Sequence, residues 1–102
     1  MDQLCPITKT LNHFGKKWSL HLLRELNENK KLRFNELLEN MKSISPRTLS
    51  KRLKEMEKQG FVQRKEFKEI PPKVEYTLTQ KGKELIKCFK YMNTWAEKFD
   101  IQ

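Results

Sequence analysis

Ile44-Ser45-Pro46-Arg47-Thr48-Leu49-Ser50-Lys51-Arg52-Leu53-Lys54-Glu55-Met56-Glu57-Lys58-Gln59-Gly60 is the stretch on which the fold turns. Both of its ends carry helix punctuation. Ser45 can accept hydrogen bonds from the free amides of a first turn, and Pro46 suits the first helical position, where its missing N–H has no partner to lose. Gly60 can take the left-handed conformation that ends a helix. Between these ends, Leu49, Leu53 and Met56 share one face by their i, i+4, i+7 spacing. At about 100° per residue, Arg47, Lys51, Lys54 and Lys58 gather within an arc of about 60° on the opposite side. Glu55 and Glu57 fall on the flanks of that strip. The segment reads as a helix fixed to a core by its apolar face and turning a cationic strip outward. Taken alone, such a strip is the ordinary solvated face of an amphipathic helix. The sequence on either side changes that balance.

Immediately upstream, residues 35–41 read as a short helix, with Phe34, Leu37, Leu38 and Met41 facing inward. Lys42-Ser43-Ile44 is then a brief turn. Two helices joined so closely make a helix-turn-helix, over about residues 34–59, whose second helix enters the DNA major groove. Asn35 suits a helix cap, the favoured role, or a phosphate ligand. Downstream, Phe61 to Phe67 is strand-like with weak alternation. Lys68-Glu69-Ile70-Pro71-Pro72-Lys73 is a loop, since adjacent prolines oppose both helix and ladder. Val74, Tyr76 and Leu78 alternate with Glu75 and Thr77, as in a half-buried strand. A hairpin directly behind a helix-turn-helix is a wing, here about residues 61–78. Leu32-Arg33-Phe34 is too short for a sheet of its own, but can add a third strand to that hairpin. The predicted fold class is α+β, mostly helical: a winged helix-turn-helix with a small antiparallel β-wing in a single domain spanning residues 1–102.

Farther out, Trp18 to Asn27 reads as a helix burying Trp18, Leu22, Leu23 and Leu26. Either Asn27 or Asn29 can take the left-handed turn that follows it. Leu4, Ile7, Leu11 and Phe14 form one narrow stripe on a helix over about residues 4–14, with Pro6 in its first turn and Cys5 at or beside its cap. Thr79 caps a last helix over about residues 80–99. Its Leu85, Phe89, Met92, Ala96 and Phe99 are spaced 4, 3, 4, 3, an a/d seam that Ile86 and Trp95 widen. These terminal stripes exceed what so small a core needs, so the two terminal helices are predicted to form a two-fold dimer interface. The competing arrangement folds the last helix back on its own domain.

Composition narrows the function. The chain has 102 residues, 36% of them apolar and 34% charged, with a net charge of +9. A strongly basic small domain points to a polyanion, nucleic acid before an anionic membrane. No apolar run approaches membrane-spanning length and no signal-peptide segment opens the chain, which predicts a cytoplasmic protein without a membrane partner. Cys5 and Cys88 are too few for a disulfide scaffold and lack zinc-site spacing, and neither His13 nor His21 completes a ligand motif. No metal or cofactor is expected. With no Gly-rich phosphate loop and no nucleophile–base pairing in view, an enzyme has almost no support.

The chain resembles the HxlR-type winged-helix transcriptional regulators, a branch related to the MarR-like repressors. The resemblance rests on Cys5-Pro6-Ile7, Gly15-Lys16-Lys17-Trp18, Arg33-Phe34-Asn35-Glu36-Leu37, Ile44-Ser45 with the Leu49 and Leu53 helix, and Gly60-Phe61-Val62 with Arg64. Its most specific block is Pro71-Pro72-Lys73-Val74-Glu75-Tyr76-Thr77-Leu78-Thr79, ending in Gly82. Asn29 stands where many members have a glycine, and Phe61 where leucine is frequent. The resemblance implies a dimeric DNA-binding regulator, in some members sensing oxidants or electrophiles through the N-terminal cysteine.

On this reading Ser45, Pro46, Arg47, Thr48, Ser50, Lys51 and Lys54 form the recognition helix surface, its N-terminal half lying at base edges. Arg47 is the candidate for a bidentate guanine contact, because only arginine has the planar fork. Lys54 and the wing residues Arg64, Lys65, Lys68 and Lys73 are candidate phosphate contacts on double-stranded DNA. Arg64 has an alternative role, pairing across the hairpin with Glu75. The candidate dimer contacts are Leu4, Ile7, Leu11, Leu85, Phe89, Met92, Ala96 and Phe99. Cys5, at a helix N-terminus, is a candidate sensor thiol or simply an apolar packing residue, while Cys88, off the seam, is expected to pack. The effector is unknown. The predicted function is a sequence-specific homodimeric regulator on a palindromic operator. A non-sequence-specific architectural winged helix competes with it, and a protein–protein adaptor on the same fold is the third possibility.

Overall fold

Leucine at helical spacing draws the chain around one core, and the elements follow from where that spacing starts and stops. The computed structural model describes Pro6, Thr8, Lys9, Asn12 and residues 17–99. Helix α1 (Ser19–Asn29) leads through strand β1 (Lys31–Leu32) to α2 (Phe34–Met41) and α3 (Pro46–Lys58). The hairpin β2 (Val62–Phe67) and β3 (Lys73–Leu78) follows, and then α4 (Gln80–Lys98). The sheet is antiparallel in the order β1-β3-β2, with Leu32 opposite Tyr76 and Lys65 opposite Glu75. This is an α+β winged helix-turn-helix with a third short strand on the hairpin. Leu22, Leu23 and Leu26 of α1 meet Leu37 and Met41 of α2, Leu49, Leu53 and Met56 of α3, and Ile86 of α4 in a single core. No helix among the described residues is long and apolar enough to cross a membrane.

Both ends of α3 are built as its residues require. The Ser45 hydroxyl accepts from the Thr48 amide at 3.1 Å and donates to the Thr48 hydroxyl at 2.9 Å. At the other end Gly60 has φ 84°. The Phe61 amide donates to the Met56 carbonyl at 2.9 Å and the Gly60 amide to Glu57 at 3.1 Å. That pair of bonds is the Schellman closure, which needs a left-handed residue where Gly60 stands.

Several local expectations are corrected. Helix α1 begins one residue later and ends two residues beyond the expected Trp18 to Asn27, with Trp18 half-buried outside it at φ 81°. Asn29 closes the helix, its side-chain amide donating to the Glu25 carbonyl at 2.9 Å, and Lys30 makes the turn with a positive φ of 64° and ψ −58°, outside the left-handed helical region. With Asn29 helical and Lys31 already paired in β1, only Lys30 is left to reverse the chain. Asn35 does not cap α2. Phe34 is already helical, so Arg33 is the cap, and its amide donates to Glu36 at 2.8 Å as in half a capping box.

In β3 the expected alternation fails. Glu75, assigned to the solvent side, is only 8% exposed, while Val74 and Tyr76 are half-buried. Strand β3 is central in the sheet, and a carboxylate this enclosed requires cationic partners. Lys73 at 3.2 Å and Lys31 at 3.9 Å supply them. Cys88 is exposed rather than packed, its thiol lying 3.8 Å from the Glu84 carbonyl oxygen on its own helix. Leu4, Cys5, Ile7 and Leu11, named above for the N-terminal helix, lie outside the described residues.

Candidate nucleic-acid interface

The candidate recognition surface begins with the cap. The Ser45 hydroxyl bonds both the amide and the hydroxyl of Thr48, so Ser45 shapes the helix start. Pro46, Arg47, Lys51 and Lys54 stand exposed, and Thr48 and Ser50 are half-buried beside them. Among the described residues no acid pairs with Arg47, Lys51 or Lys54. The first turn of α3 contains no acid, so its exposed amide end and these cations add to one positive field. Leu49, Leu53 and Met56, all essentially buried, fix the opposite face to the core and hold the strip in one orientation.

Arg52 was not singled out from the sequence. Its Nε donates to the Lys17 carbonyl at 3.2 Å and its guanidinium pairs with Glu55 at 2.8 Å. It ties α3 to the chain just ahead of α1. The Glu55 pairing is visible as an i, i+3 spacing, whereas the contact with Lys17 has no local signal.

The wing is differently charged. Arg64 pairs with Glu66 at 3.0 Å on its own strand, not with Glu75 across the hairpin. Hydrogen bonds to Glu66 and then Tyr76 raise its pKa above the usual arginine value, so its charge is firmly held and already partnered. Lys73 is engaged by Glu75. The Phe67 ring carries two ammonium groups, Lys65 at 5.1 Å and Lys73 at 5.0 Å from its centroid, close enough for cation–π attraction. Among the described residues Lys65 and Lys68 have no acidic partner. Ile70, at the loop tip, is wholly exposed.

The candidate dimer residues divide along α4. Leu85 and Phe89 pack partly on the chain's own core. Beyond them Met92 and Phe99 are 55% and 59% exposed, and Ala96 is half-buried. Tyr91 and Trp95 are exposed as well, and with Met92 and Ala96 they line a shallow apolar cleft. Among the described residues no group of His, Cys, Asp and Glu is arranged to hold a metal ion.

Comparison with known proteins agrees with this architecture. The family model described as HxlR-like helix-turn-helix matches residues 13–102. The chain is 41% identical over 95 residues to YdeP of Bacillus subtilis strain 168, described as an uncharacterised HTH-type transcriptional regulator, covering 93% of this chain and 73% of YdeP. A crystal structure of a MarR-family transcriptional regulator from Enterococcus faecalis V583 superposes with a TM-score of 0.89 at 39% identity, covering 98% of this chain and 90% of that one. The redox regulator HypR in its oxidised form superposes with a TM-score of 0.82 at 38% identity, covering 92% and 96%.

Proposed function

The chain belongs to the HxlR-like helix-turn-helix family of transcriptional regulators, and on that premise we propose that it acts as a homodimer on a palindromic operator. It is a regulator and not an enzyme. The observation that carries the proposal is the set of exposed, acid-free cations on the N-terminal half of α3, above a face locked into the core. Arg47 contacts a base edge, Lys51 and Lys54 the groove and its phosphates, and Lys65 and Lys68 the backbone beside it. Arg64 and Lys73, both partnered, contribute less. The distal half of α4, with the N-terminal helix, forms the two-fold interface and sets the recognition helices about 34–36 Å apart, one helical turn of DNA. The regulator works in the cytoplasm.

HypR is a redox regulator, and the similarity to it supports Cys5 as a reactive thiol in this chain. Alkylation of that thiol by an electrophile, or its joining in a disulfide to a second thiol while diamide takes up the two electrons and two protons, would change recognition-helix spacing.

Selection of bound duplexes from a random pool, with and without diamide, tests both parts. One enriched palindrome, lost or weakened under diamide in the wild type but not in Cys5→Ser, is expected. Equal affinity for all duplexes, with only a steep salt slope, would make the protein an architectural binder. A lack of duplex binding even at low salt would point to an adaptor.

A further inference from the structure

The segment that leaves α3 is held at three points in succession. Three successive carbonyls follow the recognition helix, at Gln59, Gly60 and Phe61, and all three accept from the start of α4. Lys81 Nζ donates to Gln59 O at 2.9 Å. Thr79 Oγ1 donates to Gly60 O at 2.6 Å, and the Thr79 amide donates to Phe61 O at 3.1 Å. The same Thr79 hydroxyl accepts from the Gly82 amide at 3.2 Å, so the residue that caps α4 also grips the end of α3.

Two further features fit this joint. Lys81 lies in the first turn of α4, the end at which a cation is disfavoured by its own helix. It lies at the C-terminal end of α3, where a cation is favoured, and its ammonium sits 4.5 Å from the Phe61 ring centroid. Gly82 is buried, and a Cβ there would stand 2.5 Å from the Phe61 carbonyl oxygen and 3.1 Å from Leu78 Cδ2. Only glycine lets α4 approach the exit of α3 this closely. Farther along, α4 leaves the core and carries the exposed stripe of Met92, Trp95 and Phe99.

We infer that Thr79, Lys81 and Gly82 are positioning residues for DNA recognition: they make a rigid joint through which α4 sets the orientation of α3, and so the spacing between the two recognition helices of the dimer. The inference rests on the dimer reading above. A helix of 19 residues acting from a joint at its end is a lever of about 28 Å, so a small change of angle at the joint displaces the recognition helix relative to its twin.

The test uses the palindrome enriched by the wild-type full-length protein, remade with one base pair added to or removed from the centre, and a duplex with a single half-site. Lys81→Met, exposed and keeping the alkyl stem, and Gly82→Ala are compared with Thr79→Val and the conservative Thr79→Ser. Lys81→Met, Gly82→Ala and Thr79→Val should reduce the preference for the native spacing by about two- to thirtyfold, the range over which such coupling residues act. The single half-site affinity of Lys81→Met and its sedimentation as a dimer should stay as in the wild type, and Thr79→Ser should keep the preference. Unchanged spacing preference in Lys81→Met and Gly82→Ala would overturn the inference. So would an equal loss on every duplex, single half-site included, which is the signature of a role in folding alone. A wild-type protein that sediments as a monomer or enriches no palindrome would instead defeat the dimer reading itself, and the inference with it.

Discussion

The recognition helix and the wing carry the same kinds of cation and commit them differently. Arg47, Lys51 and Lys54 stand on a helix whose other face is buried, and none has an acidic partner among the described residues. On the wing, Arg64, Lys65, Lys68 and Lys73 are set against Glu66, Glu69 and Glu75, and two of the four cations are already paired. Counting basic residues would rank the two regions as equals. Following each charge to its nearest partner ranks them otherwise: the helix leaves its field open to a polyanion, while the wing holds two of its four cations in ion pairs. The anchoring differs in parallel. Leu49, Leu53 and Met56 root the helix in the core, whereas most of β2 is exposed.

The difference can be broken at its root. Leu53→Ala should destabilise the protein by about 2–5 kcal/mol in urea unfolding, because it opens a cavity under α3. Ile70→Ser at the wing tip should leave the midpoint unchanged; an equal shift in both would mean that the wing is rooted as firmly as the helix. Ser45→Ala removes the cap and should cost about 0.5–2 kcal/mol, read in the same unfolding experiment. Lys54→Ala should weaken binding on all duplexes alike and lower the slope of log K against log salt by about one. Glu66→Gln, which releases Arg64, should steepen that slope by up to about 0.9, the contribution of one new phosphate contact. If Glu66→Gln leaves the slope unchanged, the wing cations are not held back by their acids and the contrast with the helix disappears.

Much of this fold is legible along the chain because its signals are local. The cap at Ser45, the left-handed Gly60 and the cap at Thr79 each depend on residues within a few positions of one another. What escaped is either non-local or a choice between two local partners. Glu75 looks like a solvent-side residue until β1 is placed on the outer edge of β3 and brings Lys31 toward it. Arg64 has Glu66 and Glu75 both within reach on paper, and only side-chain direction selects Glu66. The Lys30 turn is displaced from Asn29 because Asn29 has a better use in the last turn of α1. In the candidate site, Arg47, Lys51 and Lys54 could be placed on one face by periodicity. The tether from Arg52 to Lys17 and the joint from Lys81 to Gln59 link residues 35 and 22 positions apart, where no pattern in the sequence marks them.

The central claim is that the capped N-terminal half of α3 reads DNA sequence, and its most direct test compares the duplexes enriched from a random pool by the wild type and by Arg47→Ala. The account predicts the same palindrome with the preference relaxed at one base pair in each half-site, at a cost of about 1–3 kcal/mol on the wild-type operator. An identical motif bound more weakly on all sequences would contradict it, since Arg47 would then be a phosphate contact and not the reader of a base.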